Sequence, residues 1–253
     1  MIDPTALLEG LEHAARRGGE IAQEARPRMV RELKPDGSIV TNGDREVETY
    51  LRGDLATLVE HSTFWGEEFG FAEQGSGGLW VLDPIDGTSN YSYGSPLWGV
   101  SIALIVGDRI EAGAVMLPDL DELYLCARGG GVTVNGEPLA PIPPGPIEAS
   151  ELVSYSDYVV KACPRNALPG KMRCSGAFVV DGTFVLRQRL RGLIGLSEKL
   201  YDMAACALMA EELGADVRYA DGRPLDIGAL KVDRKIAAPW LIFPRDTGFL
   251  LER

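Results

Sequence analysis

Histidine is almost missing from this sequence. Of 253 residues only His13 and His61 are histidine, one inside a helical pattern and one just before a strand-like stub, so both read as structural or surface residues and histidine-based catalysis is not expected. Cysteine is sparse too. Cys126, Cys163, Cys174 and Cys206 form no CxxC pair and no zinc-type spacing, which excludes a zinc ribbon or a disulfide framework; they read as free, mostly buried thiols in a reducing compartment. Positive charge is short: 25 basic against 37 acidic residues give a formal net charge of -12. Such a field repels phosphate backbones, so nucleic acid is not expected as a direct partner. No apolar run approaches the roughly 20 residues that cross a bilayer. The first 25 residues lack a basic segment followed by an apolar stretch and a small-residue cleavage site, so neither membrane nor secretion is expected and the cytoplasm is the default. Internal repeats and low-complexity tracts are absent as well.

What is present suits a folded globular chain, with 45% hydrophobic and 25% charged residues and enough length for one large domain or two packed halves. Asp3-Pro4 reads as a cap and first turn. Leu7, Leu8, Leu11, Ala14, Ala15, Ile21 and Ala22 then recur at helical spacing until Pro27. KPDGSIVTNGD, Lys34 to Asp44, is rich in turn formers and reads as a mobile loop. From Asp44, the residues Val47, Leu51, Leu55, Leu58 and Val59 trace a second helix. The runs LWVLD, LWGVSIALIV, RIEAGAVML and ELYLCA read as consecutive strands of an antiparallel sheet. APIPPGPIEAS, Ala140 to Ser150, carries four prolines and is the expected boundary. It separates an N-terminal part, 1–140, with helices, sheet and acidic motifs from an α/β part, 141–253, the two packed as one unit. A helix from about Tyr201 to Leu213 is stopped by Gly214.

The chemistry concentrates in LDPIDGT. A strand end holds Asp83, Pro84 restricts the next backbone step, and Asp86 is thereby turned back toward Asp83. Gly87 permits close backbone approach, and Thr88 and Ser89 open a helix whose free N–H groups can bind phosphate. Two acids after a strand also serve as turn and cap residues. Two further acidic places bear on the choice, FWGEEFG with Glu67 and Glu68, and YDMAACALMAEELG with Asp202 at the start of an apolar helix.

Together these segments resemble the inositol monophosphatase family of metal-dependent, lithium-sensitive sugar phosphatases. The family pattern DPxDGTxN is matched by Asp83, Pro84, Asp86, Gly87, Thr88 and Asn90, the GEE element by Gly66, Glu67 and Glu68, and the WDxAA element with Tyr201 in place of Trp. VTxxD (Val40, Thr41, Asp44), PLWGVSIAL and GGGVTVNGEPL add support. The resemblance implies an α+β chain in a layered αβαβα sandwich and a homodimer. It also implies two or three Mg²⁺ ions on Glu67, Asp83, Asp86, Asp202 and the Ile85 carbonyl, donors suited to a hard cation. In that scheme a metal-activated water attacks phosphorus, Thr88 linked to Asp44 orients the water with Glu67 at the same metal, and the Gly87 and Thr88 amides hold the phosphate. Asp86, Gly176, Ala177, Gly195 and Asp202 would border the substrate. Lys34 and Glu68 are candidates for securing the loop or a further ion.

The implied substrate is a small phosphorylated alcohol, inositol phosphate first. In inositol-selective members a glutamate seven residues before the WDxAA aspartate binds substrate hydroxyls. Gly195 stands there in this sequence; Glu198 would substitute for that glutamate, or Arg191 or Lys199 would favour a second negative charge on the substrate. EKLYD is similar to relatives that hydrolyse histidinol phosphate or nucleotide-type phosphates; fructose 1,6-bisphosphate and 3'-phosphoadenosine 5'-phosphate are further alternatives. A regulatory binding protein is the alternative of another class, for which the sequence offers no basic stripe or disordered tail.

Overall fold

The computed structural model describes residues 4–71, 75–231 and 235–251. The expected cap Asp3 therefore lies outside the described residues. Pro4–Ala25 is helical and buries Leu7, Leu11, Ala14, Ala15 and Ala22 along one face, the stripe that the 3.6-residue spacing implies. The second helix spans Asn42–Leu55. It begins before Asp44 because Thr41 caps it: Thr41 Oγ1 accepts from the Gly43 and Asp44 amides while Asp44 Oδ2 accepts from Thr41 N at 2.9 Å. Leu58 and Val59, expected within it, follow its end.

The segment read as a mobile loop is a hairpin. Arg31–Leu33 pairs antiparallel with Ile39–Thr41, around a tip where Lys34 N donates to Ser38 O at 2.8 Å and Gly37 takes a φ of 86°. Strands of three residues are too short for alternation to show beside so many turn formers.

Eight strands form the larger sheet, in the spatial order Glu137–Pro138, Val132–Val134, Glu122–Ala127, Arg109–Leu117, Gly99–Val106, Leu79–Asp86, Thr63–Gly66 and Gly70–Phe71. The four expected strands pair antiparallel as read; the strand-like stub Thr63–Gly66 joins them parallel to Leu79–Asp86. The smaller sheet orders Lys171–Arg173, Leu152–Tyr155, Gly192–Gly195, Trp240–Pro244 and Ala215–Tyr219, and mixes both directions.

Alternation along the strands explains the layers. Trp80, Leu82, Val100, Ile102, Ala112 and Ala114 face the two N-terminal helices. Their neighbours Leu79, Val81, Ala103, Ile105 and Val115 face the helices Phe178–Leu186 and Leu200–Glu212. Leu200–Glu212 is apolar nearly all round because it is enclosed between two sheets, and Leu193 and Ile242 of the smaller sheet close its other side. On the outer face of that sheet, Val153, Tyr155, Ile194, Leu241 and Phe243 pack with Val159 of the helix Asp157–Ala162. The result is helix, sheet, helix, sheet, helix, the expected α+β sandwich.

Candidate active site

The strand Leu79–Asp86 carries the first two acids. Three residues apart, they would point to opposite faces of a regular strand. A register shift prevents this: Asp83 stands opposite Ser101 and Asp86 opposite Gly99, so three steps on one strand match two on its partner and both acids come to one side. Pro84, which has no amide hydrogen to give to a ladder, occupies the bulge.

Each carboxylate is then tied by one oxygen. Asp83 Oδ1 accepts from Ile85 N at 3.1 Å, and Asp202 Oδ2 accepts from Lys199 N at 2.7 Å where the enclosed helix begins. Asp86 Oδ2 accepts from Val179 N at the start of Phe178–Leu186. Glu67 Oε1 accepts from Lys34 Nζ at 2.9 Å, and the same ammonium donates to Glu68 Oε1 at 2.7 Å. The Lys34 pair works against burial and holds that ammonium above its ordinary range.

A cavity of about 380 Å³ brings together Glu67, Asp83, Ile85, Asp86, Gly87, Thr88, Gly176, Ala177, Asp181, Gly195, Glu198 and Asp202. Burial, with the charges of Glu67, Asp86 and Asp202 added, raises the Asp83 carboxyl well above the carboxylate range. Burial and the charges of Glu67 and Asp86 do the same to Asp202. Asp86 rises to about 7 through burial, opposed by the Val179 amide and reinforced by Glu67, Asp181 and Glu198. Glu68 is also pushed to about 7 by burial, against its bond to Lys34. No Lys, Arg or His is among the described residues of the lining.

Gly87 has a φ of 86°, and a Cβ there would stand 2.7 Å from Ala177 Cβ, so both conformation and space demand glycine. Beyond it, Thr88 Oγ1 lies 3.1 Å from Asp44 Oδ1 and 3.0 Å from Ile85 O. Asp44 is wholly buried behind Thr88, outside the lining, and its carboxyl is raised by burial against its bonds from Thr41 and Thr88. Asn90 explains the last motif position: its Nδ2 donates to Leu97 O at 2.6 Å and to Ser175 O at 2.8 Å, joining distant segments.

Other candidates fall elsewhere. Arg191 turns away from the cavity to the proline segment, where Nη1 donates to Pro143 O at 2.8 Å, so its proposed reading of the alcohol is corrected. Lys199 also lies outside the lining, its ammonium 5.5 Å from the centre of the Tyr201 ring. His13 and His61 are exposed. All four cysteines are free, but only Cys126 and Cys206 are buried; Cys174 is exposed and borders the cavity.

Two acids escaped the motif reading. Glu48 is fully buried and accepts from Glu68 N at 2.8 Å and Arg52 Nε at 2.8 Å, while a Cβ on Gly66 would meet its Oε1 at 2.0 Å. This ties the Glu67–Glu68 corner to the second helix and accounts for Gly66. Its signal is positional, since Asp44, Glu48, Leu51 and Leu55 follow one helical stripe. Asp181 lies one turn into Phe178–Leu186 and no motif marks it.

Among the described residues no three acid, histidine or cysteine side chains close on a single point. The acids surround the space, as uncompensated like charges do. Mg²⁺ keeps several waters and takes only one or two carboxylates at a time, so buried carboxylates spread round a cavity with room for waters suit it without a three-ligand cage.

A sequence model described as Inositol monophosphatase family matches residues 3–242. An inositol-1-monophosphatase from Mesorhizobium japonicum is 31% identical over 202 residues, 75% of each chain. A histidinol-phosphatase from Chlorobaculum parvum is 40% identical over 106 residues, 42% of this chain and 41% of that protein. In solved structures, the extragenic suppressor protein suhB from Bartonella henselae superposes with a TM-score of 0.81 at 24% identity, covering 96% of this chain and 95% of that one. Its likeness is one of fold. The family match along nearly the whole sequence shows that this chain belongs to the inositol monophosphatase family.

Proposed function

We propose that the chain is a Mg²⁺-dependent phosphomonoesterase that hydrolyses a small phosphorylated alcohol in this cavity. Members of the family are phosphoric monoester hydrolases, and the observation that carries the metal reading is the electrostatics of the lining. Asp83, Asp86 and Asp202 converge with Glu67 on one cavity, the first three are raised by burial and by neighbouring carboxylates, and no basic residue stands in the described lining; the one ammonium that reaches the set, Lys34, meets Glu67 from outside it.

Glu67, Asp83, Asp86, Asp202 and the Ile85 carbonyl would hold Mg²⁺, in two or three ions. When bound, the metal supplies positive charge for the phosphate and leaving alkoxide and makes a bound water more acidic. Thr88 accepts a hydrogen bond from the attacking water while its own hydroxyl proton is held toward Asp44. The Gly87 and Thr88 amides take phosphate oxygens at the start of the following helix. Glu48 and Lys34 hold the Glu67–Glu68 corner in place.

The activities named for the relatives, on inositol phosphate and histidinol phosphate, bracket the substrate. Lithium inhibition, a homodimer and a cytoplasmic location belong to the same proposal; no helix of the described residues is long and apolar enough to cross a membrane. The deciding experiment measures phosphate release from inositol 1-phosphate and histidinol phosphate with Mg²⁺ and again with EDTA. Release that needs Mg²⁺ is expected, and release undiminished in EDTA would refute the metal reading.

A further inference from the structure

Resting on the phosphomonoesterase reading, we infer that Glu198 and Asp181 make the alcohol end of the cavity selective for phosphate monoesters whose alcohol bears a protonated amine.

Glycine at 195 is the starting point. A Cβ built there would lie 2.6 Å from Glu198 Oε2 and 2.6 Å from Trp240 Nε1. The missing side chain is thus the space in which the Glu198 carboxylate rests. Trp240 Nε1 donates to Glu198 Oε2 at 2.7 Å. Trp240 is fully buried, and its ring stacks on Phe178, another lining residue, with centroids 5.4 Å apart. One carboxylate oxygen is therefore fixed from behind by a rigid ring. The carboxylate, which the Leu196 backbone also reaches, borders the cavity.

Asp181 adds a second acid from the adjoining helix. Ser175 N donates to its Oδ2 at a long 3.5 Å, and the hydroxyls of Ser154 and Ser175 also act on this carboxyl. Both acids line the same cavity, beside Gly195 and Phe178. Cations held by Glu67, Asp83, Asp86 and Asp202 answer the phosphate-end acids. Glu198 and Asp181 remain facing the alcohol.

Nearby positive side chains are committed elsewhere. Lys34 bridges Glu67 and Glu68, Arg191 holds proline-segment carbonyls, and Lys199 lies over Tyr201. Asp157, at the rim, pairs with Lys161. A second phosphate on the alcohol would meet acids without a basic partner in the described lining, whereas an ammonium would meet two acceptors. A neutral polyol is accepted through hydrogen bonds but gains no charge pairing.

The test uses the full chain loaded with Mg²⁺ and compares kcat/KM for histidinol phosphate, its N-acetyl derivative, inositol 1-phosphate and fructose 1,6-bisphosphate. Histidinol phosphate should exceed its N-acetyl derivative by at least about tenfold, with fructose 1,6-bisphosphate the poorest, since a site built for a charged donor penalises its loss. Glu198→Gln should cut the ratio of histidinol phosphate to inositol 1-phosphate by about tenfold, mainly through KM. Equal turnover of the amine and its acetylated form, or a preference for the bisphosphate, would overturn the inference even if Glu198→Gln does not fold, because both are read on the wild-type chain. Hydrolysis of all four esters alike removes this inference and leaves the phosphomonoesterase reading intact. Hydrolysis of none removes both.

Discussion

The two ends of the cavity are built by different means. At the phosphate end Asp83, Asp86 and Asp202 are each held by a backbone N–H, from Ile85, Val179 and Lys199. Their positions follow from a strand bulge and two helix starts, elements fixed by the core of both sheets. At the alcohol end Glu198 is held by a side chain, Trp240 Nε1, across a gap that exists because residue 195 is glycine. Backbone anchoring fixes the positions of the first set, although the charges of Asp181 and Glu198 still reach Asp86. Side-chain anchoring leaves the geometry of the second adjustable by single substitutions, an arrangement in which the reaction stays constant and the alcohol can vary.

The largest effect that would sharpen this contrast is expected from Asp83→Asn and Asp202→Asn. Each removes a charge from the phosphate end while keeping the shape, and turnover of every phosphomonoester should fall by roughly a thousandfold, the several kcal/mol that bound metal contributes to the transition state. Circular dichroism should show the fold retained. Near wild-type turnover by either variant would break the division between the two ends.

A smaller effect concerns pH. Burial and mutual repulsion raise the carboxyls of Asp83 and Asp202, and Asp86 to about 7. Between the ordinary carboxylate range and about pH 7 the folded metal-free chain therefore holds protons that the unfolded chain has released, and its stability must fall as pH rises. The thermal midpoint in EDTA should drop by at least about 5 °C between pH 5 and pH 8, and saturating Mg²⁺ should flatten the slope. A midpoint in EDTA that rises with pH over this window would mean that these carboxyls are not raised.

The smallest effect is expected at Arg191. Its guanidinium holds the carbonyl of Pro143 away from the cavity, so Arg191→Ala should change kcat/KM by less than about threefold for neutral and cationic substrates while lowering the midpoint by a few degrees. A selective loss of activity on one substrate would place Arg191 back at the alcohol end.

The same contrast governs what could be read from sequence. Asp83, Asp86, Gly87, Thr88 and Asn90 lie in one short stretch because a bulge, a tight turn and a helix start occupy consecutive residues. Glu67 and Asp202 are marked by their neighbours. The sandwich follows from strand alternation and from the all-apolar helix after Asp202. The hairpin before Asn42 was hidden by its three-residue strands, and Glu48 by its guise as one more charge on a helix. The alcohol end was the least legible. Gly195, Glu198, Asp181 and Trp240 come from distant parts of the chain, and a glycine whose purpose is to admit another residue's carboxylate leaves no local pattern. Arg191 is a candidate only through the family resemblance, and packing sends it to the prolines.

The central claim, that the buried acids of the phosphate end form a Mg²⁺ site, is tested most directly by calorimetric titration of Mg²⁺ into the metal-free chain. Saturable binding by the wild-type chain, lost or weakened at least about tenfold in Asp83→Asn and Asp202→Asn but retained in Glu198→Gln, is the result this account predicts. Binding equally strong in Asp83→Asn and wild type, or no saturable binding to the wild type, would contradict it.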